Sequence, residues 1–137
     1  MSSGHDSSRD GEIVTVRPSS EFMTRQKLPY FVGISGTTAG SKGISMNLVV
    51  IPPGGAAEAH HHAGFETAIY ILQGEVETHY GDGLRKRIIN RQGDFLYIPP
   101  NLPHQPFNLS GTEAAYAIVA RNDPDEQEHV IPCAPEN

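Results

Sequence analysis

The residues best suited to chemistry cluster in one stretch, AHHHAGFETAIYILQGE, from Ala59 to Glu75. Successive side chains of a β-strand point to opposite faces, so His60 and His62 share one face and His61 takes the other. Two imidazoles at i and i+2 make a two-point grip for a metal ion. Glu66, four residues after His62, can add a carboxylate from the following segment. A further ligand must come from elsewhere. His5 and His129 lie in polar end segments, and His79 alternates with an apolar face in EVETHY and is expected to point to solvent. His104, in IPPNLPHQPFN, follows a proline-rich turn that can aim a side chain inward. The expected ligand set is His60, His62, Glu66 and His104, around one divalent transition metal per chain (Zn, Fe, Mn or Ni).

Such ligands need short strands to carry them, and the chain is rich in strand and turn signals. It has 137 residues, with 14 Gly and 11 Pro, and 37% apolar residues. Turns that frequent favour an all-β chain over long helices. Strand-like runs are IVTV (residues 13–16), YFVGI (30–34), ISMNLVVI (44–51), ETAIYILQ (66–73), EVETHY, LRKRIIN, DFLYI and AAYAIVA (114–120). In ISMNLVVI the residues Ile44, Met46, Leu48 and Val50 fall on one face. Gly81-Asp82-Gly83 marks a compact hairpin, and the tripeptide Ile-Pro-Pro recurs at Ile51 and Ile98 as a strand terminator. About nine or ten such strands predict a sandwich or jelly-roll barrel. Residues 1–11 read as a disordered leader and residues 12–137 as a single domain. The acidic tail, RNDPDEQEHV, offers at most one helical turn.

Composition excludes several functions. The net charge is −6, and the basic cluster Arg85-Lys86-Arg87 with Arg91 is too small a field to steer nucleic acid. No apolar run approaches the ~20 residues that cross a bilayer. The first residues lack an apolar secretory core, and the single Cys133 excludes an internal disulfide, which fits a cytoplasmic location.

Two spaced motifs give the chain a resemblance to the single-domain cupins, jelly-roll barrels with two motifs around a metal. The first motif runs Gly, five residues, His-x-His, three or four residues, Glu, six residues, Gly. Here Gly54, His60, His62 and Glu66 follow that order. The second runs Gly, five residues, Pro-x-Gly, two residues, His, three residues, Asn, matched by Gly93, Pro99, His104 and Asn108. The resemblance covers about residues 44–119 and implies a cupin-like barrel of two antiparallel sheets. Two departures stand out. Asn101 replaces a glycine, which a left-handed backbone tolerates. Glu66 is followed by seven residues before Gly74, not six. Either a bulge absorbs the extra residue or Thr67 takes the usual carboxylate position.

With a redox metal, the resemblance implies a dioxygenase-type enzyme acting on a small organic molecule. With zinc, it implies a non-redox cyclase, isomerase or lyase. A non-catalytic small-molecule sensor is the reading from another class. Glu66, if not a ligand, is the candidate catalytic base. Tyr70, Phe95, Tyr97, Gln105 and Phe107 are candidate pocket residues, which would suit a flat or aromatic substrate. Few Lys or Arg lie near the motifs, which argues against a heavily phosphorylated one. Small cupins often pair through sheet edges, so the resemblance also implies a homodimer.

Overall fold

The computed structural model describes residues 11–17, 22–23, 29–125 and 129–132. The expected leader, apart from Gly11, lies outside the described residues, as do His5 and Cys133. The described strands, all paired antiparallel, form two sheets. One holds six strands in the order β1-β2-β3-β10-β5-β8: β1 (Phe22–Met23), β2 (Pro29–Ile34), β3 (Ser45–Ile51), β5 (Thr67–Gln73), β8 (Phe95–Ile98) and β10 (Ala115–Arg121). The other holds five in the order β11-β4-β9-β6-β7: β4 (His60–His62), β6 (Glu75–Tyr80), β7 (Lys86–Arg91), β9 (His104–Asn108) and β11 (Val130–Pro132). This is the two-sheet antiparallel barrel that the strand spacing predicts. The one α-turn among the described residues, α1 (Gly36–Ala39), is capped reciprocally by Ser35 and Thr38. No helix among them is long and apolar enough to cross a membrane.

The inside of the barrel is divided along its strands. β10 points Ala115, Ala117, Val119 and Arg121 inward. Opposite these on β3 stand Ile51, Val49, Asn47 and Ser45, in that order. On β5, Ile71, Ile69 and Thr67 face Ala117, Val119 and Arg121. Each strand therefore runs from an apolar end to a polar one. The apolar end packs Ile51, Ala57, Ile71, Val76, Ala115, Ala117 and Val119 into a continuous core, with Val49, Ile69 and Leu96 against it. Asn108 closes that end: its Nδ2 donates to the carbonyls of Ile51, Pro52 and Glu113 at 3.0, 3.1 and 2.8 Å.

Two expectations differ from the structure. IVTV forms no strand, and Ile13 is 99% exposed, because no described strand lies beside it. The Ile44, Met46, Leu48, Val50 stripe does share one face, and that face is the outer one; the inward residues at that end of β3 are Ser45 and Asn47, both buried. Apolar residues on both faces of a strand hide which face is inside. The polar tail supplies a strand, β11, whose Val130, Ile131 and Pro132 pair with His62, His61 and His60.

The chain crosses between sheets at Gly74 (φ +95°), where a Cβ would stand 3.0 Å from the Ala115 Cβ, so the close approach requires glycine. Just before Gly74 the register with β10 shifts: Gln73 and Ile71 oppose Tyr116 and Ala117, leaving Leu72 as a bulge. Both Ile-Pro-Pro segments end a strand and lead into a left-handed residue, Gly54 (φ +65°) and Asn101 (φ +66°). Asn101 also ties the two motifs together. Its N–H donates to the His62 carbonyl at 3.1 Å, and its Oδ1 accepts from the Gly64 N–H at 2.9 Å.

Asn101→Gly keeps the left-handed backbone and loses only the side-chain bond, about 1 kcal/mol. Asn101→Ala should lose that bond and a further ~1–2 kcal/mol for the left-handed conformation. Urea unfolding of the two variants measures the difference; equal stabilities would show that the turn relaxes to a right-handed backbone.

Candidate metal centre

His60 and His104 sit directly opposite each other on β4 and β9. Two residues along β4, His62 returns to the same inward face, and all three imidazoles are buried. Their ring centroids lie 5.1 Å (His60–His62), 4.3 Å (His60–His104) and 6.0 Å (His62–His104) apart. One ligand nitrogen from each falls within 4.8 Å of the others. An ion that holds nitrogens at about 2.1 Å spans about 4.2 Å across its own diameter, so the cluster has the size of one site.

The hydrogen bonds fix the tautomers. His60 Nδ1 lies 2.8 Å from the Glu58 carbonyl, and His104 Nδ1 lies 2.9 Å from the Leu102 carbonyl. A carbonyl only accepts, so both Nδ1 atoms carry the proton and both Nε2 atoms are bare acceptors. Neither nitrogen of His62 has a hydrogen-bond partner among the described residues, although both are buried. Buried polar atoms are rarely left so. Two bare Nε2 atoms and an orphaned imidazole are the donor set a divalent transition metal takes, so the residues fit the group that the motifs imply.

Glu66 is not among them. Its side chain is exposed and accepts the Tyr97 hydroxyl at 2.7 Å, a bond that raises the Tyr97 pKa. The expected roles of Glu66 as ligand or base therefore differ from where the structure puts it. The reason is strand alternation: Thr67 is the inward residue, only 1% exposed and in register with Arg121 and Ile98. Thr67 lies five residues after His62 and seven before Gly74, which satisfies the first motif with a four-residue gap. The Leu72 bulge lies beyond it and does not bring Glu66 back inside.

The five expected pocket residues also lie elsewhere. Tyr70, Phe95 and Tyr97 belong to the outer face of the six-stranded sheet; Phe95 and Tyr97 are 81% and 58% exposed. Gln105 and Phe107 alternate with the inward His104, Pro106 and Asn108, so they face outward beside His79 and Glu77. His79 lies in ring contact with Phe107 at 4.4 Å and is bonded to Glu77, away from the histidine cluster. In each case the side chain occupies the position of the wrong parity. His61 pairs with Ile131 on the outer face, as alternation requires.

One residue beside the cluster escaped the sequence reading. Arg121 is 8% exposed, and its Nε donates to Thr67 Oγ1 at 2.9 Å. It closes β10 at the fourth inward position, where a charge reads as the exit from a strand. The continuing alternation Ala115, Ala117, Val119, Arg121 is the signal that would have found it.

Electrostatics follow from burial. Desolvation holds the pKa of His60 down at about 3 and that of His104 at about 4, and it drives His62 lower as well. The nearby Arg121 guanidinium lowers all three further. All three imidazoles are thus neutral at pH 7. Unfolded, they would take up protons below ~6.5. The metal-free protein should be fully stabilised by this term above that pH. It should lose about 2 kcal/mol for each of His60 and His104 as pH falls from 6.5 to 5. Thermal unfolding across that range measures it, and a flat profile would mean that the imidazoles are solvated.

The sequence profile of the family described as Cupin domain matches residues 47–120. Over 86 residues the chain is 35% identical to germin-like protein subfamily T member 3 of Arabidopsis thaliana, covering 59% of this chain and 37% of that one. It is 34% identical to oxalate oxidase 1 of Hordeum vulgare, covering 58% of this chain and 42% of that one. The chain therefore spans about two fifths of the length of these curated relatives. Among solved structures, a formate complex of Lactobacillus farciminis oxalate decarboxylase superposes with a TM-score of 0.70 at 21% identity, covering 82% of this chain and 33% of that one; at that identity the likeness is one of fold. With its two antiparallel sheets and a matching profile over more than half its length, the chain belongs to the cupin family.

Proposed function

We propose that this protein is a metal-dependent enzyme acting on a small organic molecule, with one divalent transition metal held by His60, His62 and His104. The observation that carries the reading is the set of three buried, neutral imidazoles whose free nitrogens converge, with His62 lacking any other partner among the described residues. The backbone carbonyls of Glu58 and Leu102 hold two of the rings so that Nε2 faces the site. The apolar core beneath keeps bulk water from reaching the cluster through the barrel. With iron or manganese the ion would supply dioxygen chemistry, in keeping with a relative named as an oxalate oxidase. A second reading is a zinc enzyme of the cyclase, isomerase or lyase type. It is favoured by the absence of a carboxylate from the histidine cluster among the described residues. Three-histidine zinc sites keep an open, Lewis-acidic position for water or substrate.

Elemental analysis of protein purified without added metal, followed by oxygen-uptake assays with candidate organic acids, separates the two. Iron or manganese with substrate-dependent oxygen use selects the first; zinc without oxygen use selects the second. The His60→Ala/His62→Ala/His104→Ala protein should lose its metal, whereas His61→Ala and Glu66→Gln should keep it. Metal retained in the triple variant would refute the assignment.

The same proposal includes a homodimer. What supports it is the outer face of the six-stranded sheet, where Met46, Tyr70, Phe95, Tyr97 and Ile118 line an apolar groove of about 370 Å³. The chain should sediment at twice its 14.9 kDa mass, and Phe95→Ser should shift it toward the monomer. A wild-type monomer at high concentration would exclude this pairing.

A further inference from the structure

β4 carries two of the three histidines and is only three residues long. Toward β9 it has one paired position, His60 with His104; toward β11 it has three, with Pro132, Ile131 and Val130 opposite His60, His61 and His62. The strand that holds the ligands is therefore itself held by β11. His62 depends on this most. Its ring has no hydrogen-bond partner among the described residues, unlike those of His60 and His104, and Val130, 6% exposed, stands directly opposite it.

The residue before β11 is His129, and it is fastened to a buried carboxylate. Asp123 lies two residues beyond the end of β10 and is 1% exposed. Its Oδ1 accepts the Asp125 N–H at 3.0 Å, and its Oδ2 lies 2.5 Å from His129 Nδ1. A carboxylate accepts, so Nδ1 carries the proton. The imidazole stacks on Phe65, in the turn that leaves β4, with centroids 5.2 Å apart and ring planes 23° from parallel. Asn122 Oδ1 reaches the same turn, accepting the Glu66 N–H at 2.8 Å. Neither Asp123 nor His129 belongs to the three-histidine cluster.

We propose that Asp123 and His129 are positioning residues for the metal: the pair latches β11 along β4, and latching and metal binding strengthen each other. The inference rests on the three histidines holding a metal, and it adds what keeps two of them in place.

A carboxylate taken out of water is costly unless its oxygens are bonded. Asp123 therefore keeps His129 beside it, and the chain after His129 begins β11 at the position opposite His62. An edge strand opens locally at far less cost than the whole fold. With β11 open, β4 is left with its single pairing to β9, and its imidazoles are free to shift. Metal–ligand distances tolerate only about ±0.2 Å, so such shifts are lost affinity. Coupling is reciprocal: the factor by which docked β11 tightens metal binding is the factor by which bound metal favours the docked strand.

The test takes the full-length protein through two measurements, Co²⁺ titration by visible absorption and hydrogen exchange across β11 with and without Co²⁺. Saturating Co²⁺ should slow exchange in β11 about tenfold or more, and change it less than about twofold in β7, the opposite edge of the same sheet. His129→Ala should weaken Co²⁺ binding about tenfold and remove most of the metal's protection of β11. Its absorption spectrum at saturation, set by the same three nitrogens, should stay that of the wild type. His129→Asn, whose Nδ2 can donate from the place of Nδ1, should recover both affinity and protection. A loss spread equally over β7 and β11 would make the pair a general support of the fold and overturn the inference. Co²⁺ that binds the wild type without slowing β11, or binds His129→Ala as tightly as the wild type, would also overturn it and leave the metal site standing. Co²⁺ that does not bind the wild type would overturn both; should His129→Ala fail to fold, exchange in the wild type decides alone.

Discussion

Three neutral imidazoles must be kept in the interior of a barrel, and the rest of the structure answers to that requirement. An unpartnered polar atom in a dry interior costs about 1–3 kcal/mol. Two of the rings reduce the cost by giving their Nδ1 protons to backbone carbonyls two residues earlier, Glu58 for His60 and Leu102 for His104. Such bonds lie within each chain segment, so they hold ring orientation without help from the partner strand. Pairing of β4 with β9 at His60 and His104 then brings the rings together, and β11 covers the outer edge of β4. Asn101 holds the His62 carbonyl and the following turn, so the third ring is placed by the second motif rather than by its own strand alone.

A polar cluster inside a small barrel threatens its core, and the strands resolve the conflict by segregation along their length. β3, β5 and β10 each begin or end in aliphatic residues at one pole and in Ser45, Thr67 or Arg121 at the other. The apolar pole, sealed by Asn108, supplies the burial that stabilises the fold. The polar pole is then free to carry groups chosen for chemistry. The outer face of the six-stranded sheet, by contrast, is apolar where solvent would be expected.

This arrangement explains which parts were legible in the sequence. Turn residues and strand lengths gave the all-β, two-sheet fold, because prolines at residues 52–53 and 99–100 must end ladders and glycines at 74 and 81 must turn. The ligand candidates His60, His62 and His104 were legible because alternation within a three-residue strand is unambiguous once one face is inside. The faces of Tyr70, Phe95, Tyr97 and Phe107 were not legible. Their strands carry apolar residues on both sides, so hydrophobicity does not tell core from an exposed sheet face. β11 was hidden by its polar approach, and Arg121 by standing where a strand normally leaves the core.

Parity is therefore the variable that sets the chemistry of this barrel. Glu66 and Thr67 are neighbours in sequence and stand on opposite sides of one sheet. The carboxylate serves the outside, where it accepts the Tyr97 hydroxyl; the threonine serves the inside, where it accepts from Arg121. A shift of one residue in β5 would exchange them and place an acid next to the guanidinium and the imidazoles. The register is held against that shift from both ends. Gly74 cannot move without bringing a Cβ into Ala115, and the Leu72 bulge takes up the odd residue on the Gly74 side of Thr67. Which of the two neighbours lies beside the imidazoles thus follows from the parity of β5, with no change in the histidines themselves.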